Sequence, residues 1–205
     1  YVGAQPLKNG LSAGQMLSND KHGLKAVLLL NNEPEFDSAA GKLAKDALLQ
    51  AQMVVSMNPF KANMDVCDVM LPTAPFTETT GSFVNAEGRL QSFHAVVKPL
   101  GETRPAWKVM RVLANMLSVP GFDFESSADV LKQLQGQHAD IQAAVTSSLS
   151  NLTDAKIDLS SSNVAPVTAS IYQLDGIVRR APALQATADA NIQTTQMAKE
   201  QEVSA

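Results

Sequence analysis

The chain carries a single cysteine, Cys67, among its 205 residues. A lone thiol excludes an internal disulfide, an iron-sulfur cluster held by the chain's own thiolates and a cysteine-based zinc site, so any redox centre must lie outside it. A Lys/Arg run is also missing. The 16 basic and 20 acidic residues leave a formal charge of -4 and a pI near 5.3, without the electrostatic footprint of a nucleic-acid binder. No apolar run approaches the ~20 residues of a membrane span. The opening "YVGAQPLKNG" lacks the basic-then-apolar plan of a signal peptide, and the expected location is cytoplasmic. The absence of Met at Tyr1 is read as the mark of a fragment of a longer protein.

What is present is an apolar content of 45%, sufficient for one globular domain with a smaller appendage. Lys25 to Leu30, "KAVLLL", is short, apolar after its Lys and closed by "NNEPEF", the pattern of a central parallel strand covered on both faces. Ser38 to Ala51 follows with Leu43, Ala44, Ala47 and Leu48 at helical spacing and Asp37 as N-cap. Gln52 to Met57 reads as the next strand, Lys61 to Val66 as a short helix, and Asp68 to Leu71 as a third strand stopped by Pro72. That alternation predicts an α/β fold: a mostly parallel, Rossmann-like sheet flanked by helices.

Ser82 to Asn85 and Arg89 to Phe93 pair most simply as a β-hairpin turning at Ala86-Glu87-Gly88. Arg104 to Leu117 is the clearest helix, with Pro105 in its first turn and Trp107, Met110, Leu113, Ala114 and Leu117 on one face. If Trp107 is fully buried there, its replacement by Ala costs about 3 to 5 kcal/mol. Ser126 to Leu149 predicts a further helix weakened at Gly136. The expected division is therefore an α/β domain over residues 1-150, then a linker, a docking segment and a polar helical or extended tail over 151-205. Within the tail, Ile177, Val178, Arg179 and Arg180 are expected to dock on the main domain or on a neighbouring subunit.

Candidate chemistry is sparse. His22, His94 and His138 have no metal-ligand spacing and read as ordinary polar residues. Cys67 sits between Val66 and Asp68 in an apolar stretch and reads as core rather than as a nucleophile. No Gly-x-Ser-x-Gly elbow occurs. Glu78 and Glu87 read as solvated loop carboxylates rather than a general acid/base pair, and Gly10 and Gly14 make no phosphate cradle. No catalytic, cofactor-binding or metal-binding residue is assigned. Ligands of open α/β sheets sit beyond the carboxyl ends of the strands, and here that end reads Asn31-Asn32-Glu33-Pro34. The Glu33 carboxylate is expected to repel an anionic nucleotide or pterin phosphate.

Four segments carry a resemblance to a known family: "AVLLLNNEPEF", "MVVSMNPFKANMDVCDVMLPTAPFTETTGSFVNAEGRLQSF", "GETRPAWKVMRVLANML" and "YQLDGIVRRAPALQ". Together they closely resemble the C-terminal part of the large iron-sulfur subunit of bacterial NADH:quinone oxidoreductase, respiratory complex I. The block from Asp68 to Arg89 also resembles one shared with molybdopterin oxidoreductases such as formate dehydrogenases. In those enzymes the first strand is usually followed by Gly-x-Asn-Pro; Asn31 stands here in the Gly place and Glu33 in the Asn place.

The resemblance implies a domain that kept the fold without molybdenum, a structural and interaction domain of the peripheral arm. It implies no cofactor in this chain, iron-sulfur clusters in the N-terminal part of the same subunit, and other peripheral-arm subunits as partners. It also implies membrane association through the complex, without membrane insertion. Two alternatives stand beside it: a working pterin-binding part of a formate dehydrogenase-like enzyme, and a Rossmann-like interaction module unrelated to electron transfer.

Overall fold

A computed structural model describes residues 10-17, 24-38, 41-85, 89-137 and 170-191. The fold is α/β. Three parallel strands, β1 (Ala26–Leu30), β2 (Met53–Asn58) and β3 (Val69–Pro72), form one sheet in the order β1-β2-β3. The strand expected at the centre is therefore at an edge of the described sheet, and β2 is central because it pairs on both sides.

The helix expected over Ser38 to Ala51 is observed as α3 (Lys42–Leu49); a separate short helix, α2 (Pro34–Asp37), precedes it, and α1 (Ala13–Leu17) comes before the sheet. Pro34 starts α2, since its fixed φ suits a helical first turn and its missing N-H is not needed there. Ser38 ends it, donating from its hydroxyl to the Pro34 carbonyl at 2.6 Å. Gly41, with φ +51, then re-aims the chain into α3. Asp37 is thus not an N-cap for the longer helix. Its carboxylate turns back instead and accepts the Glu33 N-H at 2.7 Å.

Parallel register places Leu28, Val55 and Val69 in one row on one face of the sheet, and Val27 and Val54 on the other. The second face is the core: Leu29, Leu48 and Val54 form its cluster, with Val66 and Cys67 packed against it. The first face is largely uncovered. Leu28 and Leu30 remain 42% and 44% exposed, and Met53 and Val69 are exposed beside them, although Met57 farther along is buried. Burial of β1 on both faces is not observed among the described residues; α3 covers one side, and the strand's burial alternates.

Lys61 to Val66 forms turns rather than a helix. Asn63 takes φ +59 and its side chain donates to the Asn32 carbonyl at 2.9 Å and to the Ser56 hydroxyl at 3.2 Å, which favours a turn over helical continuation. The hairpin consists of β4 (Gly81–Val84) and β5 (Leu90–Phe93), a separate antiparallel pair. The Phe93 ring stacks on Phe83 at 5.0 Å and lies over Gly81, where a Cβ would come within 2.9 Å of it. Its turn, residues 86-88, lies outside the described residues, as do His22, His138 and the linker expected after residue 150.

Helix α4 (Ala106–Met116) is present, with Pro105 at its N-cap rather than inside the first turn. Ala114 is buried and Trp107, Met110 and Leu113 are half-buried, while Leu117 is exposed. Trp107 carries the Lys108 ammonium at 5.4 Å and the Arg111 guanidinium at 6.0 Å from its ring centre, so full burial of the indole is not observed. Its replacement by Ala should cost less than the ~3 to 5 kcal/mol of a fully buried aromatic. Helix α5 is described over Ser127–Gln137 and continues through Gly136. No described helix is long and apolar enough to cross a membrane.

Leu48, 2% exposed, joins α3 to the covered face of the sheet. Leu48→Ala is expected to lower unfolding stability by about 2 to 5 kcal/mol, read as a shift in the urea midpoint. An unchanged midpoint would mean that α3 is not the cover of this sheet.

Candidate functional site: the carboxyl end of the parallel sheet

The three strands end side by side, and polar side chains stitch their ends together. Asn31 follows β1 with φ +52, the left-handed conformation that glycine favours and asparagine tolerates. Asn31, in the Gly place of the family pattern, thus takes a conformation that glycine adopts readily. It also adds a side chain, whose Oδ1 accepts the Thr73 hydroxyl at 3.2 Å from beyond β3. Asn58 at the end of β2 accepts the Phe60 N-H at 2.9 Å, and the Asn31 N-H donates to the Met57 carbonyl at 2.8 Å.

Into this end comes the segment 170-191. Ser170 caps a short helix, Ile171–Leu174. Asp175 then accepts the N-H groups of Ile177 and Val178 at 2.8 and 2.9 Å, a side-chain turn that sets the following 3-10 turn, Val178–Arg180. Gln185, in the helix Pro182–Gln185, donates to the carbonyls of Tyr172 and Val178 at 3.0 and 2.9 Å and ties the pieces together. The result presents two consecutive arginines to one carboxylate.

Arg179 Nη2 donates to Glu33 Oε1 at 2.8 Å and to Asp37 Oδ1 at 3.2 Å. Arg180 Nη2 donates to Glu33 Oε2 at 2.8 Å. Each guanidinium also lies over a ring, Arg179 on Phe36 at 4.7 Å and Arg180 on Phe60 at 4.4 Å. The Arg179 side chain is only 7% exposed. The docking expected of Ile177 to Arg180 is thus carried by the arginines, since Ile177 is itself exposed.

Repulsion of anions by Glu33 requires correction, because its charge is met by two guanidinium groups. Burial alone would push the Glu33 carboxyl up; the hydrogen bonds from Arg180 and Arg179, together with their charges, outweigh burial and hold it below its ordinary value of 4.5. The sheet end is instead occupied. The remaining Nη groups are spent on backbone carbonyls, Arg179 on Gln173 at 2.6 Å and Arg180 on Gly176 at 2.9 Å. Arg179 Nε, which has no acceptor, is buried. Neither arginine turns a free guanidinium fork outward, and this arrangement does not fit a phosphate-bearing group.

Elsewhere the candidate residues stay apart. Glu78 accepts the Leu100 N-H at 2.9 Å and lines a hollow of about 440 Å³ together with Trp107, so its contact is that of a loop staple. Glu87 lies outside the described residues, His94 is exposed, and no metal-ligand cluster occurs among the described residues. Cys67 is half-buried against the core. Sequence reasoning does not reach the roles of Phe36, Asp37 and Phe60; the available signal is a buried-strand terminus ending in Glu with an Arg-Arg pair elsewhere to answer it.

The family model for molybdopterin oxidoreductases matches residues 2–116. The chain belongs to the molybdopterin oxidoreductase family. Among curated proteins, this family member is 38% identical over 69 residues to "Probable oxidoreductase YjgC" of Bacillus subtilis (strain 168), a stretch covering 34% of the chain and 7% of that protein. It is 46% identical over 57 residues, 28% of the chain and 6% of the relative, to "Putative formate dehydrogenase SAB2186c" of Staphylococcus aureus (strain bovine RF122 / ET3-1). The match thus spans under a tenth of these relatives' length.

Because the Glu33 pKa is lowered on folding, its contribution is complete above its unfolded value of 4.5 and is lost as the pH falls through the lower folded value. Amide exchange of Tyr172 to Gln185, followed from about pH 6 to about pH 3, should show this segment opening more readily toward acid. Glu33→Gln should flatten that dependence. An acid response identical in wild type and Glu33→Gln would show that the pairing does not hold the segment.

Proposed function

We propose that this domain serves a larger oxidoreductase as a cofactor-free structural and interaction part, and that the oxidoreductase is of the NADH:quinone type. The observation that carries the reading is the pairing of Arg179 and Arg180 with Glu33 at the sheet end where an α/β ligand would sit. The uncovered apolar row of Leu28, Leu30, Met53 and Val69 adds to it, since parallel sheets are ordinarily covered on both faces. Electron transfer from NADH to quinone, in this reading, runs through iron-sulfur clusters elsewhere in the parent. The partners are the N-terminal iron-sulfur part of the same subunit and neighbouring subunits of the peripheral arm. The chain's membrane association is indirect.

A second reading, a working pterin-binding part of a formate dehydrogenase-like enzyme, is favoured by the names of several relatives. In that reading a pterin cofactor would supply the redox chemistry, and the chain's part would be to bind it after Arg179 and Arg180 leave Glu33. An interaction module outside electron transfer draws no support from family membership.

Metal and pterin analysis of the purified chain and of its longer parent separates the first two. The expected outcome is iron and labile sulfide in the parent, with neither molybdenum nor tungsten and no extractable pterin. Stoichiometric molybdenum or tungsten with a pterin in the parent would establish the second reading instead.

A further inference from the structure

The Glu33 cluster has the parts of a recognition site. Its acceptors are two carboxylates, Glu33 and Asp37, and its walls are two rings, Phe36 in α2 after β1 and Phe60 in the loop after β2. Each arginine occupies one slot, with a carboxylate oxygen at its Nη2 and its guanidinium over a ring. Gly176 passes close to Phe60, where a Cβ would stand 3.7 Å from the ring. Four of the segment's apolar side chains, Ile171, Leu174, Ile177 and Leu184, are exposed, while Tyr172 and Val178 are half-buried and Ala190 is buried. The segment's polar anchor at the sheet end is therefore its arginine pair, with each guanidinium lying over a ring.

We propose that Glu33, Asp37, Phe36 and Phe60 form a two-slot receptor for consecutive arginines. The chain fills this peptide-binding site with its own residues 176-185, and the site takes the same segment from a second copy of the chain when its own is disarmed. The selectivity resides in the site and not in the covalent connection. A tethered segment competes at an effective concentration on the order of millimolar, so binding in trans becomes visible once the tethered arginines are removed. A lysine pair meets the charge requirement alone. It lacks the planar fork and the flat face that stacks on a ring, so the site discriminates against it. The inference does not depend on the type of oxidoreductase to which the domain belongs.

The test uses the full chain carrying Arg179→Gln and Arg180→Gln, and a fluorescein-labelled peptide with the sequence of residues 170-191, read by anisotropy. Saturable binding is expected. It should be at least about tenfold weaker to the wild-type chain, whose own segment competes, and weaker by a similar factor when Glu33→Gln is added or when the peptide carries Lys-Lys in place of Arg-Arg. No saturable binding to a variant whose circular dichroism matches wild type overturns the proposal, as does equal affinity for the two peptides. Should the double variant fail to fold, amide exchange of Ile177 to Ala181 in the wild-type chain decides. Excess Arg-Arg peptide should raise it and Lys-Lys peptide should not, and no difference between them overturns the proposal.

Discussion

Glu33 stands where β1 has just ended, 7% exposed, and a carboxylate so placed costs several kcal/mol unless it is paired. Two arginines from more than 140 residues away supply the pairing, one on each oxygen. Further contacts come from Asp37, Phe36, Phe60 and three backbone carbonyls, while the buried Arg179 Nε has no acceptor. The position of the segment 170-191 on the main body follows from this arrangement. So does the filling of the space beyond the strands. Removing the carboxylate would leave two guanidinium groups, one of them buried, without their acceptor.

The other constraint comes from the sheet. One face is sealed by α3 through Leu48, Leu29 and Val54, while the opposite face shows leucine, methionine and valine to solvent. A parallel sheet with one bare apolar face is an incomplete layer in the usual architecture of α/β proteins. The occupied ligand end and the exposed apolar face are the two observations on which the proposed interaction role rests. Family membership is compatible with that work and with catalysis, because the shared stretch spans less than a tenth of its named relatives.

The strands and α4 are legible in the sequence because short apolar runs ending at Asn-Pro or Pro, and a 3.6-residue apolar stripe, report local preferences directly. The hairpin is legible as two short runs about a Gly-containing turn. The separate short helix α2 is not, because it depends on Pro34 starting it, on Ser38 closing it and on Gly41 taking positive φ before α3. The bare face of β1 is equally hidden: an apolar run shows that a strand can be covered twice, not that it is. Glu33 stands out in the sequence but suggests the wrong consequence, since its partners are distant in sequence and no periodicity links Glu33 to Arg179. No sequence pattern singles out Phe36 or Phe60, whose partners, the guanidinium groups of Arg179 and Arg180, are distant in sequence.

The central claim is that Glu33 and the arginine pair act as one unit. A double-mutant cycle between Glu33→Gln and Arg179→Gln, read as the opening free energy of the 171-185 amides by hydrogen exchange, measures it directly. The account predicts a coupling of about 1 to 3 kcal/mol between the two sites, because each substitution alone already breaks the shared contact. Additive effects, with coupling within about 0.3 kcal/mol of zero, would contradict it.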